Sequence, residues 1–427
     1  MKKRILVFPC GSEIGLEIYR AVRYSAHFEL IGGSSVKDHG EFVYKNIIKG
    51  LPFYNDENFE QEITRVVDEY GIDAIYPAMD SVAEKLTSIA SRLKCKIITS
   101  PQSTTNICLS KSRTYAITKD AVPVPKWSLS AHELDFPIFA KPDVGYGSRG
   151  VTKLRNKQEL DTHLGSVTQA FVYCEFLPGA EYTVDCFTDY KGNLLFAKAR
   201  VRNRISNGIS VNTIFAHEDI QSIVVKYAKR LNQKLDFQGG WFFQVKEDKE
   251  GQLKLLEIAA RFGGSSSICR ARGVNFPLLS LFDAFGYDVQ IEENDYKVEL
   301  DRALNTKYKI ELQYDVVYVD LDDCIIIDGK INVNLMGFLF QARNENKKII
   351  LITRHENNLN DTLEKFKIKQ IFDEVHHITD GSPKYSVMKD NNSIFIDDSY
   401  QERVAVKNKM TIHTFSPDMI ECLFNCE

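Results

Sequence analysis

The chain is 427 residues long, 44% hydrophobic and 26% charged, with 54 Lys and Arg against 58 Asp and Glu and a formal charge of -4. Such a length exceeds one compact core, so two or three domains are expected, and the slightly acidic balance gives no general attraction to nucleic acid or anionic membrane. No window approaches the length of a membrane span, and nine scattered cysteines without a CxxC pair suggest neither a disulfide framework nor a zinc site, so a reducing cytoplasm is the expected setting.

The opening stretch MKKRILVFPCG has the basic start of an export signal, but its apolar run ends at Pro9 and Gly11, too soon for that role. It reads as a first β-strand. From there to residue 105, strand-like runs (RILVF, FELIGG, AIYPA, KIITS) alternate with helical ones (EIGLEIYRAVRYS, NFEQEITRVVDEYG, SVAEKLTSIASRL). This is the pattern of a parallel, Rossmann-like α/β layer. The turn FPCGSEIG lacks the third glycine of a dinucleotide fingerprint, and the second strand ends LIGGSS with no acid to hold a ribose. A plain strand-to-helix turn is the better reading.

Residues 106–300 are strand-rich. In FPIFAKPDVGYGSRGVTKL, Lys141 lies on a strand and Gly145, Gly147 and Gly150 follow it. Glycines let backbone N–H groups close over a polyphosphate, and a lysine beside them neutralises its charge. Further on, FVYCEFLPGAEYTVDCF reads as strand, break at Leu177-Pro178-Gly179, and strand, with Glu181, Thr183 and Asp185 on one face. Such a segment can offer backbone groups to an adenine edge and a carboxylate to ribose hydroxyls. In FAKARVRNRIS, Lys198, Arg200, Arg202 and Arg204 recur every second residue, which places four cations on one strand face, suited to phosphate or carboxylate. The hairpin GGWFFQVKEDKEGQLKLLEIAARFGGSSS can set Gln244 opposite Glu257, oxygen ligands suited to magnesium carried on nucleotide phosphates. Glu257 interrupts an apolar run, where an unpaired buried carboxylate is costly. Asp80, in YPAMDS, and the GGSSS turn before Arg270 are further candidate substrate contacts.

In the order of these motifs, residues 1–300 resemble the ATP-grasp superfamily, in the branch of carbamoyl-phosphate synthase and the carboxylate-amine ligases. The resemblance implies a pre-ATP-grasp domain over residues 1–105 and an ATP-grasp α+β domain over 106–300. It implies that Lys111, in LSKSRT, and Lys141 hold the phosphates of ATP beneath a lid at 145–150 that includes Gly147, Ser148 and Arg149. Glu175, Phe176 and Leu177 would form the adenine hinge and Glu181 would take the ribose. Gln244 and Glu257 would bind Mg2+, with Mn2+ as a substitute, and Arg202 and Arg261 would act on the transferring phosphate. Family members read Glu-x-Asn-x-Arg where this chain has EIAAR, so Ala259 removes one expected metal ligand.

After a polar connector at 301–313, a second β/α alternation fills residues 314–427. It opens with YDVVYVDLDDCIIIDG, a strand ending in Asp320, Asp322 and Asp323. An aspartate can attack phosphorus, and a carboxylate two residues on lies on the same side of an extended chain, able to protonate the leaving oxygen. Asp320 is the expected nucleophile and Asp322 the acid/base. A hydroxyl, a lysine and further carboxylates follow at strand ends: Thr353 after KIILI, Lys384 in DGSPKYS, and Asp397 and Asp398 after SIFI, with Glu402 beyond. In this ordered set the segment resembles the haloacid dehalogenase-like phosphatases, with Cys324 where that family often has threonine or valine. Asp320, Asp322, Asp397 and Asp398 would hold Mg2+. The short spacings leave no room for a large cap domain. His355 reads as a satisfied surface histidine, and His376 and His377, without nearby cysteines, as no metal site.

The expectation is therefore a bifunctional α/β enzyme. An ATP-dependent carboxylate-amine ligase acting through an acyl phosphate would be joined to a capless phosphomonoesterase acting through an aspartyl-phosphate. Its partners would be a small carboxylate and amine, one of them carrying phosphate, with no nucleic acid or membrane, and a homodimer is admitted. Two alternatives stand beside this. One is a nucleic-acid end-processing phosphatase and ligase, against which count the acidic charge and KPDVG, one residue longer than the Lys-x-Asp-Gly nucleophile motif. The other is an ATP-binding sensor without ligase turnover, which Ala259 permits.

Overall fold

The run RILVF lies in the strand Lys3–Phe8, whose last four residues are buried. In the computed structural model, which describes residues 2–145, 147, 149–206 and 208–425, this strand is the centre of a five-stranded parallel sheet. Phe28–Ser34 and then Ile47–Lys49 lie on one side, and Ala74–Pro77 and then Lys96–Ile97 on the other. The helix Phe59–Tyr70 shows how the sequence builds the layer. Its Phe59, Ile63, Val66 and Val67 fall on one helical face and join Leu6, Phe8 and Ile75 of the sheet in one apolar cluster.

The turn after Lys3–Phe8 is occupied by the chain itself. The Asp38 carboxylate accepts from the Gly40 N–H (2.9 Å) and the Ser34 hydroxyl (3.0 Å), and lies 2.0 Å from where a Cβ on Gly11 would stand. In an open parallel sheet a dinucleotide would lie in this crevice at the switch of strand order. Here an internal carboxylate fills it.

The chain divides into two units, Met1–Asn305 and Thr306–Glu427. In the first, a four-stranded antiparallel sheet runs Trp127–Ser128, Phe171–Glu175, Ile138–Pro142, Thr152–Leu154 in spatial order. A six-stranded one runs Leu253–Ala259, Gly239–Glu247, Glu181–Thr188, Leu194–Ser206, Ile209–Phe215, Glu299–Asp301. The polar connector placed at 301–313 starts later than expected. Asp301 still belongs to the edge strand, because the Asn212 amide draws in the carboxylates of Glu299 and Asp301 at 2.9 Å each.

The second unit is a parallel sheet with the order Glu374–His377, Lys348–Thr353, Val316–Val319, Ser393–Ile396, His413–Phe415. Only a small hairpin, Ile326–Ile327 with Lys330–Ile331, and the helix Val333–Asn344 stand between Val316–Val319 and Lys348–Thr353 in the chain among the described residues. No helix among them is long and apolar enough to cross a membrane.

Two glycines test the packing of the first unit. A Cβ on Gly15, in the helix Glu13–Val22, would meet the Cys10 and Pro9 carbonyl oxygens at 2.5 and 2.6 Å, whereas one on Gly165, in the exposed helix Lys157–Ser166, would meet nothing within 4 Å. Gly15→Ala is expected to destabilise by about 1–3 kcal/mol. Gly165→Ala is expected to be neutral or to gain up to ~1 kcal/mol. Urea unfolding of both variants checks this, and equal midpoints would contradict the tight turn.

Candidate active sites

In the first unit, strand alternation decides which residues reach the cleft. Tyr182, Val184 and Cys186 of Glu181–Thr188 join Trp241, Phe243 and Val245 of Gly239–Glu247 in the core under the helix Glu218–Lys234. Glu181, Thr183, Gln244 and Lys246 are left on the other face. On Leu253–Ala259 the pairing passes from Val245 with Leu255 to Gln244 with Glu257, so Leu256 is an extra residue. This bulge resets the alternation: Leu253, Leu255 and Ile258 stay in the core while Glu257 turns out beside Gln244. A carboxylate in an apolar run thereby finds a polar place.

The Gln244 and Glu257 side chains line a cleft. Lys111, Lys141, Gly147 and Arg149 line it from one side, and Glu175, Phe176, Leu177, Glu181 and Arg202 also contribute. Ser148 lies outside the described residues. Lys141 is 6% exposed and donates to the Tyr115 hydroxyl at 3.3 Å. Burial pushes its ammonium below the usual lysine range, opposed by the fields of Cys174 and Glu257. A buried cation bonded to a neutral hydroxyl is costly, and a polyphosphate would relieve it. Lys111 opens the helix Lys111–Thr118 and reaches the Gly145 carbonyl at 3.2 Å. The Glu175 carboxylate accepts from the Lys126 backbone N–H (2.8 Å) while the Glu175 N–H donates to the Lys126 carbonyl (2.9 Å), and Lys153 Nζ lies 3.4 Å from the Phe176 ring centre. Glu181 is ion-paired with Arg202 and with Lys246, the latter at 3.5 Å.

The row of four cations is corrected by the structure. Lys198 pairs with Glu293 (2.9 Å), Arg200 is buried against Asp185 (2.7 Å), and Arg204 pairs with Asp301 (2.7 Å). Internal carboxylates hold these three, and bulges at Arg202 and Arg204 break the row. Arg202 alone of the four lines the cleft, bonded to Gln244 Oε1 (3.3 Å) and the Gly208 carbonyl (2.7 Å), with its buried Nε lacking a partner among the described residues. Arg261 lies elsewhere, in the wall of an adjoining cavity, pairing with Asp80 at 2.7 Å over the Phe242 ring. Arg270 pairs with Glu17 (2.8 Å). The two cavities share Gly147, Arg149, Arg202, Gly208, Gln244 and Glu257. Ala259 is buried and offers no ligand atom.

In the second unit, the strand order reverses around Val316–Val319, and Asp320, Thr353 and Asp397 stand at the carboxyl ends of three neighbouring strands. That is the crevice where parallel sheets take ligands. Lys384 Nζ lies 2.9 Å from Asp320 Oδ1 and 2.6 Å from Asp397 Oδ2. The contact with Asp320 is a close ion pair off the line of a hydrogen bond, and Asp320 Oδ1 has no aligned donor among the described residues. Burial raises Asp320 from the ordinary 3.8 to about 7, Lys384 pulling it down and Asp397 pushing it up. Burial works against the Lys384 ammonium too, but the two carboxylates outweigh it and raise it. The ligand atoms of Asp320, Cys324 and Asp398 all lie within 4.8 Å of one another. Of the expected metal set, Asp397 is committed to Lys384 and the Ser399 N–H (2.8 Å), and Asp322 to His355.

His355 is the residue that sequence reasoning misplaced. It is 9% exposed, not a surface side chain, and its Nδ1 lies 2.9 Å from Asp322 Oδ1. Proximity to Thr353 was the available signal. Glu402 pairs with Arg354 at 2.9 Å.

The comparisons with known proteins bear on the first unit. A family model described as ATP-grasp in the biosynthetic pathway with Ter operon matches residues 168–308. The biotin carboxylase domain dimer of Hydrogenobacter thermophilus 2-oxoglutarate carboxylase, in complex with MgADP, ADP and bicarbonate, is 18% identical with a TM-score of 0.57, over 69% of this chain and 72% of that one. N5-carboxyaminoimidazole synthetase from Staphylococcus aureus is 16% identical with a TM-score of 0.58, over 69% and 81%. N5-carboxyaminoimidazole ribonucleotide synthetase from Thermotoga maritima is 18% identical with a TM-score of 0.54, over 69% and 78%. No curated protein matches the chain by sequence. The first unit thus has an ATP-grasp fold.

Asp320 sets a pH test on the metal-free protein. Folded, it keeps a proton that the unfolded chain releases near 3.8, and gives it up only near 7. This contribution to stability is full below the lower value and is lost as pH rises through the upper one. The raised Asp397 carboxyl acts in the same sense. With chelator present, the second unit is expected to melt lower at about pH 8 than at about pH 5, and Asp320→Asn should narrow that gap. A gap unchanged in the variant would remove Asp320 as its source.

Proposed function

We propose that the first unit is an ATP-dependent carboxylate-amine ligase working through an acyl phosphate. The observation that carries this reading is the junction of two cavities at Gln244, Glu257 and Arg202, one of them walled by Lys111 and Lys141. Lys111 and Lys141 would bind and orient the triphosphate, Phe176, Leu177 and Glu181 the nucleoside, and Arg202 the transferring phosphoryl group. Gln244 and Glu257 fit Mg2+, which when bound neutralises phosphate charge. The substrate carboxylate would lie towards Arg261, attack phosphorus and release ADP. The amine would then displace phosphate from the acyl carbon. The neighbours with MgADP, bicarbonate or a synthetase activity in their names support this class of chemistry, and the dimer named for one supports a homodimer.

The second unit is, on the same footing, a magnesium-dependent phosphomonoesterase. Lys384 between Asp320 and Asp397 supports it, because a buried lysine at a switch point can hold phosphoryl oxygens while Asp320 attacks. Thr353, fully buried at the next strand end, would donate its hydroxyl hydrogen to a phosphoryl oxygen, and Asp322 would protonate the leaving oxygen. Asp320 and Asp398 fit a hard cation, which lends charge to the phosphoryl group. The boundaries 1–105, 106–300 and 314–427 are the domain reading that goes with this assignment.

Lys141→Ala and Glu257→Ala are expected to lower Mg2+-dependent ADP formation by at least ~100-fold while hydrolysis of an aryl phosphate stays within about twofold. Asp320→Asn is expected to do the reverse. ADP release across a panel of acids and amines, with aryl phosphate hydrolysis measured in parallel, checks both. Loss of both activities in one folded variant would contradict two sites.

A further inference from the structure

His355 follows the strand Lys348–Thr353, and four contacts fix it. Its N–H donates to Thr353 Oγ1 (3.2 Å), and its carbonyl accepts from His377 Nε2 (2.8 Å). Its Nε2 lies 2.8 Å from Thr362 Oγ1, on the helix Leu359–Lys365. Its Nδ1 lies 2.9 and 3.0 Å from the two oxygens of Asp322. A carboxylate only accepts, so Nδ1 carries the hydrogen, and Nε2 accepts from the Thr362 hydroxyl. The Asp322 side chain is 49% exposed, and a carboxyl group so open to water has several rotamers at hand. An imidazole held from behind by Thr362, on a backbone anchored by Thr353 and His377, favours one of them.

We propose that His355 is a positioning residue that fixes Asp322 for proton transfer to the leaving oxygen. This rests on the phosphatase reading of the second unit. In the first step an Asp320 oxygen bonds to phosphorus and the bond from phosphorus to the leaving oxygen breaks. The proton on the Asp322 carboxyl passes to that oxygen, giving the free alcohol and an Asp322 carboxylate. In the second step water attacks phosphorus, its proton passes to Asp322, and the bond from phosphorus to Asp320 breaks with release of phosphate. His355 keeps its own hydrogen throughout. In the first step its share of the rate therefore matters only where the leaving oxygen needs a proton, whereas in the second step it is the same for every ester.

An alkoxide needs that proton and 4-nitrophenolate does not, and this separates positioning from simple structural support. With full-length protein, His355→Leu is expected to lower kcat/KM, which reports the step that releases the leaving oxygen, roughly tenfold to a hundredfold on a simple alkyl phosphate, while kcat/KM on 4-nitrophenyl phosphate stays within about twofold. His355→Asn, whose amide N–H can stand near the Nδ1 position, is expected to recover about half or more of the lost rate, in logarithmic terms. Added to Asp322→Asn, the leucine substitution should cost nothing further, since its effect runs through that carboxyl. Beryllofluoride, as an aspartyl-phosphate mimic, should bind His355→Leu as it binds the wild type. Equal loss of kcat/KM on both esters, or multiplying losses in the double variant, would overturn the role of His355 and leave the phosphatase reading standing. A wild type inert to both esters and to beryllofluoride would remove the phosphatase reading, and this inference with it.

Discussion

The pairing register of the strand Glu181–Thr188 governs the first unit. It sets Thr183 opposite Gln244 on one side and Arg200 on the other, and Glu181 opposite Lys246. A slip of one residue would turn Tyr182 and Val184 into the cleft and Thr183 and Asp185 into the core under the helix Glu218–Lys234. The apolar set on the buried face forbids that slip, and so the same residues that make the core also aim the polar ones. The bulge at Leu256 is the one local exception, and it serves the same end by bringing Glu257 round to Gln244. Folding and ligand geometry are here two consequences of one alternation.

The second unit reaches a comparable concentration of charge by a different route. Parallel strands buried on both faces end together, and their next residues, Asp320 and Asp397, converge on Lys384. Two carboxylates and one ammonium buried this deeply are costly to desolvate, and removing one member leaves the others uncompensated. Such a cluster is a poor device for stability alone. Its raised carboxyl and its oxygen without an aligned donor are features that a phosphoryl group and a cation would use.

Much of this was legible in the sequence because it is local. The β/α alternation of residues 4–105 is read from periodicity, the break at Leu177-Pro178-Gly179 separates two strands as expected, and the spacing of the hairpin brings Gln244 and Glu257 together. Partners distant in sequence were not legible. Lys198, Arg200 and Arg204 read as a row waiting for a ligand, but Glu293, Asp185 and Asp301 take them, and no spacing rule ties residue 200 to residue 185 across a turn whose register is unknown. Arg261 with Asp80, and Asp38 filling the space beside Gly11, are contacts of the same kind. His355 was misplaced for a related reason, since a lone histidine after a strand looks exposed until Thr362 and Asp322 close over its ring.

The first unit is expected to take an adenine nucleotide between Lys141 and the segment from Glu175 to Glu181. Photolabelling of the full-length chain with 8-azido-ATP in the presence of Mg2+, followed by peptide mapping, measures this directly. Saturable labelling, competed by ATP, is expected on peptides from residues 139–181 or 244–257. Label confined to residues 314–427, or labelling that ATP does not compete, would contradict it.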